Sequence, residues 1–297
     1  MSFLMRILIL DAYNLILRSY FGLPPGVDDQ GRTNHAIRGW YATWLKLRRV
    51  FEPDRVIAVF DGGTDRQRKL LHPEYKTGRG AKPRDLIEQI QAIYTSCSLA
   101  SITTVLQHHT EADDLIYTLV KTKKENDEMF VVSDDKDLAQ CVTDSGRIRL
   151  YRPSTEQTWY ESDVQLNFGV MPAQIDSFLA LCGDPVDKIP GIPRIGKLTA
   201  IKLLRQYPDI HTALRTHPKY APRYHVDLEA LAGKMLELTR LKLVPEFLEF
   251  HHETESTISF ANPDLLSNTS PTNSLIEFLT ERRLRRIVQQ IHDSNLI

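Results

Sequence analysis

Short strand-like runs alternate with longer helix-like stretches along the first half of the chain. The runs at 6–10 (RILIL), 55–60 (RVIAVF), 103–106 (TTVL) and 129–132 (MFVV) are rich in apolar and β-branched residues, the pattern of strands buried on both faces. Between them, 36–51, 84–96 and 112–125 are helical in pattern. Strands alternating with helices predict an α/β fold with a mostly parallel, doubly wound central sheet flanked by helices. The ligand crevice of such a sheet lies beyond the carboxyl ends of its strands. After about residue 170 the texture changes. Pro172 suits the first turn of a helix over 172–181. The stretch Gly183 to Lys197 (GDPVDKIPGIPRIGK) is dense in Gly and Pro, and a helix over 198–206 follows, the start of a small helical domain. The polar stretch 261–273 predicts a surface loop. One helix is expected over 276–291, with Arg282, Arg283, Arg285 and Arg286 as a solvated face.

Composition adds little by itself. Of 297 residues, 42% are hydrophobic and 25% charged, enough for one large domain and a smaller one. A formal net charge of −1 does not mark a nucleic-acid binder, which is often basic overall. The distribution of charge changes that picture. From Arg66 to Arg84 the chain carries Arg66, Arg68, Lys69, Lys76, Arg79, Lys82 and Arg84 against the acid Glu74. Cys97, Cys141 and Cys182 are too widely spaced for a zinc site and are expected as thiols in a reducing cytoplasm. No apolar run reaches transmembrane length, and the opening run is taken as the first strand and not a signal peptide.

Nine carboxylates arrive in five clusters: Asp11; Asp61; Glu111, Asp113 and Asp114; Asp135 and Asp137; Asp184 and Asp187. Asp11, Asp61, Asp135 and Asp137 follow predicted strand ends, where the topology puts a crevice. Each has a plain alternative. Asp11 and Asp61 fit a helix cap or turn residue. Thr110 and Asp113 fit a capping box, and Ser133 fits a cap for a helix starting near Asp135. Capping needs one or two acids, however, and three within four residues exceed it. Like charges packed together take up protons or capture cations, and hard cations such as Mg²⁺ prefer oxygen ligands. A two-metal site acting on phosphate is the expectation. Gly191 to Lys197 (GIPRIGK) offers close backbone approach and the free N–H groups of a helix start, an anion site whose loop carbonyls suit a monovalent cation. Tyr75, beside Lys76 and Arg79, offers a stacking face for a base.

These pieces together resemble the 5′-nuclease family: the 5′→3′ exonuclease domain of bacterial repair polymerases, phage 5′ nucleases and flap endonucleases. The resemblance rests on Asp11, Phe60-Asp61, Arg68, Tyr75-Lys76-x-Gly-Arg79, Glu111-Ala-Asp-Asp114, Asp135-Lys-Asp137, Gly183-Asp184-x-x-Asp187-x-Ile-Pro-Gly191 and Ile195-Gly196-Lys197. Lys188, Arg194 and Asp134 depart from its usual pattern. It implies a PIN-like α/β catalytic domain at 1–170 with a helical arch at about 66–96. A helix-hairpin-helix-type (H3TH) subdomain at 171–260 and a C-terminal helix at 261–297 packing back on the core would follow. It also implies two Mg²⁺ or Mn²⁺ ions. Asp11, Asp61, Glu111 and Asp113 would surround the first, with Asp114 nearby. Asp135, Asp137, Asp184 and Asp187 would serve the second, with Asp113 shared.

Catalytic roles would fall to Lys76, Arg68, Asp113 and Asp135. DNA contacts would come from Arg68, Tyr75, Lys76, Arg79, Gly191, Ile195, Gly196 and Lys197, with K⁺ at the hairpin. The implied activity is magnesium-dependent phosphodiester hydrolysis of DNA near 5′ ends, flaps and nicks in replication and repair. The enzyme would be a cytoplasmic monomer, with a repair polymerase as candidate partner. Two ions about 3.5–4 Å apart supply nucleophile, charge neutralisation and leaving-group stabilisation. A PIN-type ribonuclease and a non-catalytic binder of branched DNA are the rival readings.

Overall fold

The computed structural model describes residues 4–78, 80–122, 126–143, 145–224, 226–245 and 271–294. Its centre is a six-stranded sheet made of β1 (Arg6–Asp11), β2 (Arg55–Val59), β3 (Ile102–Val105), β4 (Glu128–Val132), β5 (Ile148–Arg152) and β6 (Gln157–Trp159). The spatial order is β3-β2-β1-β4-β5-β6, parallel except for β6, which turns back along β5. Ile9 of β1 lies between Ile57 of β2 and Val131 of β4. Strand order reverses beside β1, so the switch point of this sheet falls between β1 and β4.

Alternation along each strand feeds two cores. Leu8, Leu10, Ala58, Phe130 and Val132 face α1 (Ala12–Gly22), α2 (His35–Phe51) and α4 (Arg84–Ser96). Ile7, Ile9, Val59, Met129 and Val131 face α5 (Ala112–Lys121) and the later helices α6 (Glu161–Phe168) and α7 (Ile175–Cys182). Because both faces are covered, the strands are apolar nearly throughout. Each fully buried branched residue contributes about 1.5–3 kcal/mol, and truncating Ile9, which has no exposed surface, to Ala would cost roughly 2–5 kcal/mol. Beyond α7, α8 (Lys197–Gln206), α9 (Ile210–Thr216) and α10 (Val226–Thr239) extend the same core as α5.

Element bounds differ from the sequence expectation by a residue or two at β1, β2 and β3. Helix α1 and strand β5 were not foreseen. Arg149 and Arg152 interrupt β5, yet the guanidinium of Arg149 lies over Phe130 and that of Arg152 over Trp159. The expected single C-terminal helix is two, α11 (Pro271–Glu281) and α12 (Arg285–Ser294). Arg283 breaks them apart in a left-handed turn at φ 57°. Arg283, Arg285 and Arg286 are exposed as expected, and Arg282 is half-buried. Arg283 pairs with Asp29, and the Arg282 carbonyl accepts from the Asn34 amide at 2.7 Å. Of the expected 261–273 loop, 271–273 are helical and 261–270 lie outside the described residues. Between α3 (Arg66–Leu71) and α4, the arch stretch runs through a turn at 72–78. The inner face of α4, with Leu86, Gln89 and Ile93, packs into the α2 layer.

Candidate metal centre and nucleic-acid interface

The parallel strands end together, and their acids end with them. Asp11 closes β1 and is buried. Its Oδ1 caps α1 by accepting the Asn14 N–H at 3.2 Å, and its Oδ2 accepts the Ser133 hydroxyl at 2.7 Å. The same hydroxyl oxygen accepts the Asp135 N–H at 2.9 Å, so Ser133 ties the end of β4 to the end of β1 across the switch point. Asp61 follows β2 and accepts the Gly63 N–H at 2.7 Å. The plain readings of Asp11 as cap and Asp61 as turn residue are therefore correct, and compatible with a further role. The capping box at Thr110 is not formed: Glu111 is the N-cap of α5 and makes no side-chain cap bond.

Electrostatics show which acids share space. Lost hydration, with added charge from Asp135 and Asp61, pushes the Asp11 carboxyl up to about 7 against the pull of its Ser133 and Asn14 hydrogen bonds. Lost hydration and then the Asp135 charge hold Asp113 well above the ordinary range, while Lys76 opposes and Asp11 and Asp137 add. Asp137 is pushed up to about 7 by lost hydration, Asp135 and Asp184, against Lys136. Asp11, Asp61, Asp113, Asp135, Asp137 and Asp184 thus form one chain of mutually repelling neighbours. At its far end, oxygens of Asp137, Asp184 and Asp187 lie within 4.8 Å of one another. Such a donor set, all oxygen and crowded enough to raise the proton affinity of its members, fits hard divalent cations.

Four of the expected site residues are committed within the fold. Arg68 is turned inward: it is 2% exposed, bidentate to Asp114 at 2.7 and 2.9 Å, and donates also to Glu111 at 2.9 Å. Asp114 is not placed as a metal ligand, because Arg68 holds both its oxygens and Oδ1 also accepts the Lys242 N–H at 2.8 Å. Tyr75 offers no stacking face, since it is buried and its hydroxyl donates to Glu111 at 3.0 Å. Ile195 is buried in the core near α8, and its N–H donates to the Ile192 carbonyl at 3.1 Å. Glu111 is half committed: Oε2 receives Arg68, Tyr75 and the Lys76 ammonium at 2.9 Å. Lys76 also lies 3.7 Å from Asp187. Burial is the largest single influence and opposes its charge, but Glu111, Tyr75, Asp113 and Asp187 together outweigh it, and the proton is held more tightly than usual. Arg79 lies outside the described residues.

The hairpin divides its glycines between two jobs. Gly191 sits at φ 73°, and a Cβ there would come 2.4 Å from the Gly183 nitrogen, so its bareness serves internal packing. Gly196 has ordinary backbone angles as N-cap of α8, is exposed, and a Cβ there would meet nothing within 4 Å. Its backbone and that of exposed Lys197 are open to an outside partner. Arg194 takes φ 68°, a region that favours Gly, and is exposed.

Sequence reasoning passed over Ser133 as a bridge and Lys136 as a counter-ion. The Lys136 ammonium stands 2.5 Å from Asp184 and 3.1 Å from Asp137. Its place between two acids directly after a buried strand was the available signal. Asp134, an unexpected acid, is tied to Arg152, Arg18 and Ser154.

Residues 6–169 match the family model for the 5′-3′ exonuclease N-terminal resolvase-like domain, and 170–257 match its C-terminal SAM fold. The chain belongs to the 5′-3′ exonuclease family. It is 30% identical to a 5′-3′ exonuclease of Aquifex aeolicus over 285 residues, covering 95% of this chain and 94% of that one. It is 35% identical to the flap endonuclease Xni of Photobacterium profundum over 214 residues, 71% of this chain and 80% of that one. A match to DNA polymerase I of Bacillus subtilis, 33% over 214 residues, covers 71% of this chain but only 24% of that longer protein. In three dimensions it is similar to the T5 5′-exonuclease solved with divalent zinc, with a TM-score of 0.66 at 18% identity over 97% of this chain and 98% of that one. The family places the chain among nucleases, and the mostly parallel sheet with a helical C-terminal part agrees with it.

Proposed function

We propose that this member of the 5′-3′ exonuclease family is a metal-dependent, structure-specific nuclease. It hydrolyses phosphodiesters of DNA near free 5′ ends and at junctions of single and double strands, as in flaps and nicks. The observation that carries the reading is the convergence of Asp11, Asp113 and Asp135 at the switch point, with Asp11 and Asp113 holding their protons far above ordinary values. Asp11, Asp61, Asp113 and Asp135 are assigned to one Mg²⁺ or Mn²⁺ ion, and Asp137, Asp184 and Asp187 to a second, with Glu111 at the edge of the first. Bound there, the ions would activate water and offset charge on the reacting phosphate.

The chain's own residues do the positioning. Ser133 fixes Asp11 and the Asp135 backbone relative to each other. Lys76 stands at the inner wall against Glu111, within electrostatic reach of Asp113, where a phosphate's growing charge is shared. Gly196, Lys197 and the free N–H groups opening α8 hold duplex phosphate, with K⁺ at the hairpin carbonyls between Gly191 and Gly196. The division of labour follows the sequence: 1–170 for chemistry, 171–260 for duplex, 261–297 as a brace. All the acids come from one chain, so a monomer completes the site. A polymerase that fills the resulting gap is the partner implied, and three free thiols suit a reducing cytoplasm.

End-labelled flap, nicked and single-stranded DNAs, beside an RNA hairpin, test the reading with Mg²⁺ and again with EDTA. Wild-type protein should cut the flap in Mg²⁺ only. Asp113→Asn and Asp135→Asn should abolish cutting and retain DNA in a gel-shift assay. Either variant cutting at the wild-type rate, or a preference for the RNA hairpin, would overturn it.

A further inference from the structure

Lys136 occupies a position that the metal reading leaves unexplained. Three carboxylates, Asp137, Asp184 and Asp187, bring oxygens within 4.8 Å of one another. The cation nearest to two of them is already part of the chain. Lys136 reaches Asp184 at 2.5 Å and Asp137 at 3.1 Å, whereas Lys76 touches the third, Asp187, only at 3.7 Å. The Lys136 side chain remains 38% exposed, while that of Asp184 is 4% exposed. Its ammonium can therefore leave towards water without disturbing the core, and the carboxylate it leaves behind cannot follow.

We propose that Lys136 is a resident counter-ion of the Asp137–Asp184–Asp187 cluster, and that a divalent cation must displace its ammonium to bind there. This rests on the proposed metal site and adds a rule for its loading. An ammonium and a hard cation compete for the same oxygens, since both need them at contact distance. The lysine keeps the cluster intact before loading and weakens affinity for the second cation. The cation at the Asp11 end, which Lys136 does not touch, binds without that competition. The two positions load in order.

The test uses the full chain without DNA. Mg²⁺ is titrated by calorimetry and by thermal melts into wild type, Lys136→Met, Lys136→Arg and Lys188→Met. Lys188 is exposed and adjacent to Asp187, so its variant removes the same charge without removing the contacts at Asp184 and Asp137. Lys136→Met should lower the metal-free Tm and tighten the weaker Mg²⁺ site by roughly tenfold or more relative to Lys188→Met, the size of one lost charge-assisted contact. Lys136→Arg should keep the wild-type affinity. Equal Mg²⁺ affinity in Lys136→Met and Lys188→Met overturns the displacement and leaves the metal site standing. No heat and no Tm shift with Mg²⁺ in any form overturns the metal site itself. If Lys136→Met does not fold without metal, Lys136→Gln, which keeps a hydrogen-bonding head and loses the charge, is measured against the same control.

Discussion

Two segments look alike in the sequence as DNA-contacting stretches, and the fold treats them in opposite ways. The stretch from Arg68 to Lys76 turns inward. Arg68 and Tyr75 are each 2% exposed and, with Lys76, converge on one oxygen of Glu111. The hairpin from Gly191 to Lys197 turns outward, and its second glycine faces open space. Charge explains the difference. Basic side chains beside a crowded set of carboxylates are drawn in as counter-charge, because burying either sign alone is far more unfavourable than burying the pair. The hairpin carries no acid between Gly191 and Lys197 to draw its basic residues inward, and Arg194 and Lys197 stay exposed.

Removing Arg68 should separate the two segments most sharply. Arg68→Ala leaves Asp114 buried without its bidentate partner and Glu111 with Lys76 as its remaining cation, and stability should fall by roughly 3–5 kcal/mol in urea unfolding. If it instead leaves stability intact and weakens DNA binding alone, the inward reading fails. A smaller loss is expected for Lys76→Ala, on the order of 10²-fold in cleavage rate, as for one preorganised donor, with a lesser change in duplex affinity. The reverse split would return Lys76 to the class of simple DNA contacts.

The hairpin half of the comparison turns on glycines. Gly196→Val should leave the Tm near wild type, because its Cβ meets nothing, and weaken duplex binding by about tenfold, roughly 1.4 kcal/mol. Gly191→Ala should lower the Tm, since its Cβ would collide with the Gly183 backbone at a φ that favours Gly. Equal effects of the two would erase the distinction.

The smallest effect concerns pH in the metal-free protein. Asp137 is raised from 3.8 to about 7 in the folded state. Between those values the folded form holds a proton that the unfolded chain has released, so this group's contribution to stability falls as pH rises. Asp137→Asn removes that penalty. In EDTA its Tm should gain on wild type as pH climbs from about 4 to about 7, and a constant gap would show that Asp137 does not sense its neighbours.

Much of this was open to inspection in the chain. The apolar runs located β1, β2 and β4 because strands covered on both faces need side chains of one character throughout. Asp11 and Asp135 could be placed at one edge because parallel strands end on the same side. Strand β5 escaped because its arginines lie over aromatic rings of β4 and β6, a contact that exists only once the sheet is in place. The pairing of Arg68 with Asp114, 46 residues away, was hidden for the same reason.

The chain alone determined which elements form and which acids end them, because secondary-structure periodicity and strand polarity are local properties. Only the tertiary structure decided which of those acids face a cation and which face an arginine. That choice depends on distance, burial and competing charge, none of which has a value until distant segments meet.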